Sequence, residues 1–349
     1  MKHLHTIVIL MLLSLVTVVV QAQENKGTYR FLYATNSARV AALGGLPLPF
    51  FDSDVQLAGF NPASINPEMN NRLSLSYVDN LGDINFATAQ YGRDFDKVGS
   101  FVGSVQFHNY GKFAYTSEGG LVEGGDFTCS DYSVTIGWGR TLTDRWNIGA
   151  NLKYVGLQYE KYAAGAVAVD VAGMYRAESG WIFSLTARNA GMQLFNNIDN
   201  HESRWLPFEM DLGASKKLDH LPLAIAFYYD DIQRWNQLHE DVLNLHGNYN
   251  DPLTGEIKKE SNFKHFAKNL ACHLVVGGEL AIGKNLYLRA AYNYGRRQEM
   301  DVPGIHTLVG FSGGFGVKIK NFRIDYSRSR MNIVKSPNYI TVSVDLDGF

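Results

Sequence analysis

Residues 145–155 read Arg145-Trp146-Asn147-Ile148-Gly149-Ala150-Asn151-Leu152-Lys153-Tyr154-Val155. Trp146, Ile148, Ala150, Leu152 and Tyr154 fall on one face; Asn147, Gly149, Asn151 and Lys153 fall on the other. Period-two alternation sends the two sets to opposite sides of a sheet. The pattern recurs from about residue 71 to the chain end in stretches of about ten residues, with almost no helical period. Repetition on this scale favours a closed barrel whose apolar face meets lipid, because only closure satisfies every backbone group in a bilayer.

Parity assigns the faces. Val167, Val169 and Val171 face lipid, and Asp170 faces inward. Leu223, Ile225, Phe227 and Tyr229 face out, as do Leu286, Leu288, Tyr292 and Tyr294, leaving Arg289 and Asn293 inside. Phe322, Ile324 and Tyr326 face out, Arg323 and Asp325 in. A Lys or Arg at the lipid midplane costs about 2–4 kcal/mol, and the charges of these stretches take the other face. Glu209, Asp211, Glu279, Arg289, Arg323 and Asp325 therefore make the interior polar.

Strands are expected at 71–79, 84–93, 98–108, 131–140, 145–156, 164–176, 180–190, 208–218, 221–230, 268–282, 285–297, 305–320, 321–331 and 338–347. That is about fourteen, and an even number suits an outer-membrane barrel. The joints alternate in length. Tight turns at 94–97, 141–144, 177–179, 219–220, 283–284 and 320–321 separate longer connections near 109–130, 157–163, 191–207, 231–267, 298–304 and 332–337. Short turns at one end and longer loops at the other are how such barrels are built. The last strand alternates through Ile340, Val342, Val344 and Leu346, and a terminal Phe349 follows out of step.

The 349 residues carry a formal charge of -2 with 34 Gly, 19 Tyr and 20 Phe, and mean hydropathy is -0.15. A moderate hydropathy fits strands with one apolar face. Near-neutral charge gives no nucleic-acid footprint. Residues 1–22 read as a secretory signal: Lys2, His3 and His5, an apolar run from Ile7 to Val20, then Val20-Gln21-Ala22 as a cleavage site. Residues 71–349 are read as the barrel and 23–70 as a plug placed in its lumen. Within this segment Ser37 to Gly45 forms a short helical turn ended by glycines. Pro47, Pro49, Pro62 and Pro67 argue against membrane strands. The segment is too short and broken to bury a core of its own, so it needs the barrel interior. Ser37, Arg39, Gly44, Gly45, Asn61 and Pro62 are its marker residues.

Catalytic motifs are weak. Gly310-Phe311-Ser312-Gly313-Gly314 fits G-x-S-x-G but lies in a strand with no helix after it, whereas a nucleophile elbow needs a strand-to-helix turn. A non-catalytic protein is expected, with an outer-membrane hydrolase at Ser312 as the weakest alternative. The ten histidines form no spaced ligand set, so no metal or cofactor is expected. Cys129 and Cys272 make no framework and are read as two free thiols. The loops 231–267 and 191–207 carry aromatics among charges, and long loops on rigid scaffolds are usual binding places. Trp205, Arg234 and Trp235 are the candidate contacts.

Two pieces carry a resemblance: Ser37-Ala38-Arg39-Val40-Ala41-Ala42-Leu43-Gly44-Gly45, followed by an acidic loop and Asn61-Pro62-Ala63. They resemble the N-terminal plug of the FadL-like barrels, most of all the PorV- and PorQ-type barrels of the Bacteroidetes type IX secretion system. The motif match spans about thirty residues; the strand layout covers the rest. The resemblance implies a non-catalytic outer-membrane barrel in a cell-surface attachment complex that anchors cargo to lipopolysaccharide. It implies a PorZ-like surface protein as partner, with PorU and PorV as further members. The alternative is a FadL-like transporter of hydrophobic compounds, since the Asn-Pro-Ala element is shared with fatty-acid transporters.

Overall fold

The computed structural model describes residues 29–46, 49–117, 122–198, 204–235, 237, 248–250, 257–259, 262–300, 308–330 and 336–348. The segment 1–22 read as a secretory signal, Pro47, Phe349 and most of 238–261 lie outside the described residues.

Most of the alternating stretches form strands, the expected strand at 305–320 being Phe311–Ile319 among the described residues. The strands are β1 (Arg72–Asp79), β2 (Asn85–Asp94), β3 (Ser100–Thr116), β4 (Val122–Thr141), β5 (Trp146–Tyr159), β6 (Tyr162–Arg176), β7 (Trp181–Asn196), β8 (Glu209–Lys217) and β9 (Leu223–Tyr229). A small loop hairpin, β10 (Asn248–Asn250) and β11 (Ile257–Lys259), comes next. Then follow β12 (Leu274–Ile282), β13 (Leu286–Asn293), β14 (Phe311–Ile319), β15 (Phe322–Ser329) and β16 (Asn338–Asp345). The described residues also form three short α-helices, α1 (Ala38–Ala42), α2 (Asn262–Cys272) and α3 (Tyr294–Glu299), besides several 3-10 turns.

Fourteen strands close one antiparallel barrel, each paired with its sequence neighbours, β9 pairing β12 across the loop hairpin. The seam joins β1 to β16, from Arg72 opposite Asp345 to Asp79 opposite Asn338. A closed ladder leaves no edge to satisfy in lipid. The faces follow parity: Leu152, Val169, Phe227, Leu288 and Ile340 are exposed on the outer surface, whereas Asn151, Asp170, Arg289 and Asp325 are buried. This apolar belt around a closed barrel is that of a multi-pass outer-membrane protein.

Four expectations are corrected. Residues 268–272 end α2 rather than begin a strand, because Phe263, Phe266 and Leu270 recur at helical spacing. Residues 294–297 lie in α3, which starts where the Asn293 side chain accepts the Arg296 N–H at 2.9 Å. The stretches 109–116 and 122–130 are strand, not loop. A register shift between Asn109 and Lys112 breaks the parity there, and beyond the bilayer both faces meet water, so alternation no longer marks the strand. The connection at 157–163 shrinks to a turn between Tyr159 and Tyr162.

The barrel is lopsided. From β3 to β7 the strands have 14–20 residues, while β8, β9 and β12 to β16 have 7–9. A span needs about 9–11 residues. At about 3.3 Å per residue and with strand tilt, the long side stands about 10–20 Å clear of the bilayer.

Candidate functional site

Residues 29–69 lie within the barrel against its inward faces. Ser37 caps α1, its Oγ accepting the Val40 N–H at 3.3 Å, and every residue of α1 is buried. Gly44 and Gly45 end it at φ 103° and 86°, in the left-handed region. Gly44 also touches the wall: a Cβ there would lie 2.5 Å from the Val275 side chain. Farther on, the Asn61 side chain accepts the Ala63 N–H at 3.1 Å, with Pro62 opening a short 3-10 turn. Gly149 on β5 makes room for it; a Cβ there would sit 2.1 Å from the Pro62 carbonyl oxygen. A larger residue at Gly149 would push the turn off the wall.

Arg39 organises the charges. It is 3% exposed. Its guanidinium forks onto Glu279, Nε at 2.9 Å and Nη2 at 3.0 Å, and its Nη1 reaches Asp52 at 2.7 Å and Asp54 at 3.2 Å. Arg289 bridges onward, to Glu279 at 2.6 Å and Asp325 at 2.6 Å, and Arg323 meets Asp325 at 2.8 Å. Three guanidiniums and four carboxylates thus tie the N-terminal segment to β12, β13 and β15. Bidentate Arg–carboxylate pairing supplies direction as well as attraction. At the tight-turn end, Arg39, Asp52, Lys318, Arg323 and Asp345 line a polar recess of about 160 Å³.

Toward the other end the interior changes character. Val155 and Leu157 on β5, Ala164, Ala166 and Ala168 on β6, and Leu206 form an apolar lumenal patch. Tyr29 and Phe31 are seated on it. Phe31 meets the His108 ring edge-on at 5.1 Å, and the Tyr29 hydroxyl accepts from Gln193 at 3.1 Å. Next to it runs a charged band. Lys153 pairs with Asp170 at 2.7 Å; Arg188 pairs with Glu209 at 2.6 Å and Asp211 at 3.2 Å. Asp230, just past β9, joins this band, and burial together with the neighbouring Asp211 pushes its carboxyl well above the ordinary range.

The connection after β9 packs against the start of β8. Ile232 donates its N–H to the Met210 carbonyl at 2.8 Å, and Gln233 donates to the Phe208 carbonyl at 2.9 Å. Trp205 bridges Met192 on β7. Arg234 is half exposed, 3.9 Å from Asp231. Trp235 stacks between Phe266 at 5.3 Å and His273 at 5.9 Å. Trp235 therefore also holds α2 in place.

Ser312 lies within β14, its hydroxyl donating to the Ala42 carbonyl at 3.2 Å, in a strand setting and not at an elbow. Cys129 and Cys272 are free thiols. Among the described residues no group of three His, Cys, Asp or Glu could hold a metal ion. Two features escaped sequence reasoning: the Arg39–Glu279–Arg289–Asp325 chain, which joins residues up to 286 positions apart as Arg39 and Asp325 show, and the Tyr29–Phe31 insertion. The aromatic run Tyr29-Arg30-Phe31-Leu32-Tyr33 was the available signal for the second.

No protein-family model and no curated protein matches this chain. Solved structures do. The Pseudomonas putida toluene transporter TodX is similar over 88% of this chain and 96% of its own, with a TM-score of 0.50 and 10% identity. A deltaS2 mutant described as the TodX monoaromatic hydrocarbon channel is similar over 88% and 97%, with a TM-score of 0.50 and 13% identity. A Pseudomonas aeruginosa FadL homologue is similar over 89% and 98%, with a TM-score of 0.49 and 11% identity. At such identities the likeness is one of fold alone.

Proposed function

We propose that this barrel takes up small hydrophobic compounds from the outer side, by analogy with the toluene transporter TodX. The observation that carries this reading is the apolar patch of Val155, Leu157, Ala164, Ala166, Ala168 and Leu206 on the inward wall, beside the charged band of Lys153, Asp170 and Arg188. Apolar lining is favourable only when something apolar covers it. The chain's own Tyr29 and Phe31 cover it in this state, so a hydrophobic ligand and the N-terminal segment share one seat. Residues 29–69 then act as a plug that keeps the passage closed until the seat is exchanged. The test is uptake of toluene and of a long-chain fatty acid by cells carrying the full chain or its Leu157→Asp variant. The variant is expected to lose uptake several-fold while keeping heat-modifiable gel mobility, and equal uptake would remove the patch from the pathway.

A second reading is favoured by a different observation. Strands β3 to β7 outreach the others, and Trp205, Arg234 and Trp235 lie in the connections that follow β7 and β9. That suits the attachment role implied by the resemblance to PorQ-type barrels: holding a PorZ-like surface protein at the outer membrane as part of a type IX secretion complex with PorU and PorV.

A further inference from the structure

Helix α2 is amphipathic in the reverse sense for a helix packed on a protein. Asn269 and Cys272, 1% and 3% exposed, are its buried positions, whereas Phe263 is 79% and Phe266 50% exposed. At 3.6 residues per turn, Phe263, Phe266, Ala267 and Leu270 share a stripe that lies about 140° around the helix from Asn269 and Cys272. The polar face is the anchored one. The Asn269 side chain donates to the Trp235 carbonyl and accepts the Gln237 N–H at 3.1 Å. The Cys272 carbonyl packs onto Gly295 of α3, where a Cβ would come within 2.2 Å of it. The helix is thus held with Phe263 turned away from the other described residues and Phe266 half exposed, one side of its ring against Trp235.

The stripe continues the lipid-facing wall. Helix α2 passes through His273 directly into β12, whose outward residues Leu274 and Val276 are 42% and 46% exposed in the belt. An aromatic ladder makes the same connection. Tyr229, on the outward face of β9, stacks on His273 at 4.8 Å; His273 stacks on Trp235 at 5.9 Å; Trp235 meets Phe266 at 5.3 Å. Lys268 and Lys264 lie on the flank between the aromatic stripe and the anchored face. Aromatic residues on one side with lysines beside them are the pattern of a helix lying in a membrane interface.

We propose that α2 is an interfacial helix of the outer leaflet, with Phe263 and Phe266 inserted at the level of the headgroups and Lys268 on the phosphate of an anionic glycolipid. The occupant of the stripe is the membrane itself, because the stripe is continuous with the belt and flanked by positive charge. The inference needs the barrel and its belt but neither of the two functional readings.

The test uses the full chain with Cys129→Ala and Cys272→Ala, spin-labelled at Phe263→Cys, in phosphatidylcholine vesicles with and without lipopolysaccharide. Labels at Leu274→Cys and Lys284→Cys mark the belt and the aqueous turn. Collision with oxygen and with a water-soluble nickel complex reads immersion, and heat-modifiable mobility shows that each variant is folded. The Phe263 label is expected to follow the Leu274 label, with oxygen collisions dominant. Dominant nickel collisions would show a stripe open to water, and low collision with both would show a protein cover, a second copy included; either overturns the proposal. Lys268→Glu is expected to reduce immersion with lipopolysaccharide and not without it; an equal effect in both would overturn the phosphate contact.

Discussion

Asp170 shows what one residue can tell and what it cannot. Parity places it inward beside the lipid-facing Val169, and it is buried at 0% exposure. Its partners come from other strands: Lys153 at 2.7 Å, the Asn151 amide at 3.0 Å and the Asn189 N–H at 2.8 Å. Alternation reveals the side of the sheet a residue takes, but partners depend on register between strands, which no single stretch contains. Two substitutions separate these levels. Val169→Arg is expected to cost about 2–4 kcal/mol by putting charge against lipid. Asp170→Asn is expected to cost about 3–5 kcal/mol by leaving Lys153 buried without its carboxylate. The double variant Lys153→Met/Asp170→Asn should recover most of the second loss and none of the first, as read by urea titration of the folded gel band. Arg39 follows the same logic. Arg39→Met leaves Asp52, Asp54 and Glu279 without their common cation, and single-channel recording should find a barrel that still folds but conducts more. Unchanged conductance would mean that residues 29–69 stay closed without the ion network.

Elements were legible where one face met lipid and the other the lumen. They were not where that contrast ended. The strand extensions 109–116 and 122–130 stand in water on both sides, so their polar residues read as loop. The helix α2 was hidden because 268–272 could extend the following strand's apolar run, and short apolar runs do not declare their period. The connection after β9 carries its own prediction. Asp230 lies against Asp211, Asp231 and Glu209, with Arg188 as a counter-charge on that band, and its folded carboxyl titrates well above its unfolded value. The folded state therefore holds more protons than the unfolded one above about pH 4, and stability falls as pH rises from there through the raised value. Asp230 contributes stability fully below that window and loses it above. Hydrogen exchange at 231–235 should quicken as pH rises, beyond the intrinsic chemical rate, because His273 ties this connection to α2 through the Asp230 carbonyl at 2.6 Å. Asp230→Asn should abolish the excess; an excess that survives would assign it to another group.

At the scale of the whole molecule the two functional readings use opposite parts of the barrel. Uptake needs the inner patch under Phe31 and an N-terminal segment able to leave it. Attachment needs the outer loops and tolerates a sealed lumen. The barrel was legible because fourteen strands repeat one rule, whereas the lumenal seat depends on residues far apart in sequence and obeys no period. Trp205, Arg234 and Trp235 decide between the readings, though not equally. Trp235 is also part of the ladder that holds α2, so Trp235→Ala reports on both the loop and the helix. Trp205→Ala and Arg234→Ala are the cleaner probes. Interface energy concentrates in such residues, and each true contact should cost at least about 2 kcal/mol of partner binding. If the outer loops hold a surface protein, both variants release it from cells while uptake of toluene and fatty acid is unchanged. If the lumen carries hydrophobic compounds, Leu157→Asp lowers uptake and leaves surface proteins attached. Measuring both quantities in all three variants separates the readings, since each assigns its loss to residues the other leaves idle. Retained attachment in Trp205→Ala and Arg234→Ala together with lost uptake in Leu157→Asp would leave the transporter standing and remove the anchor.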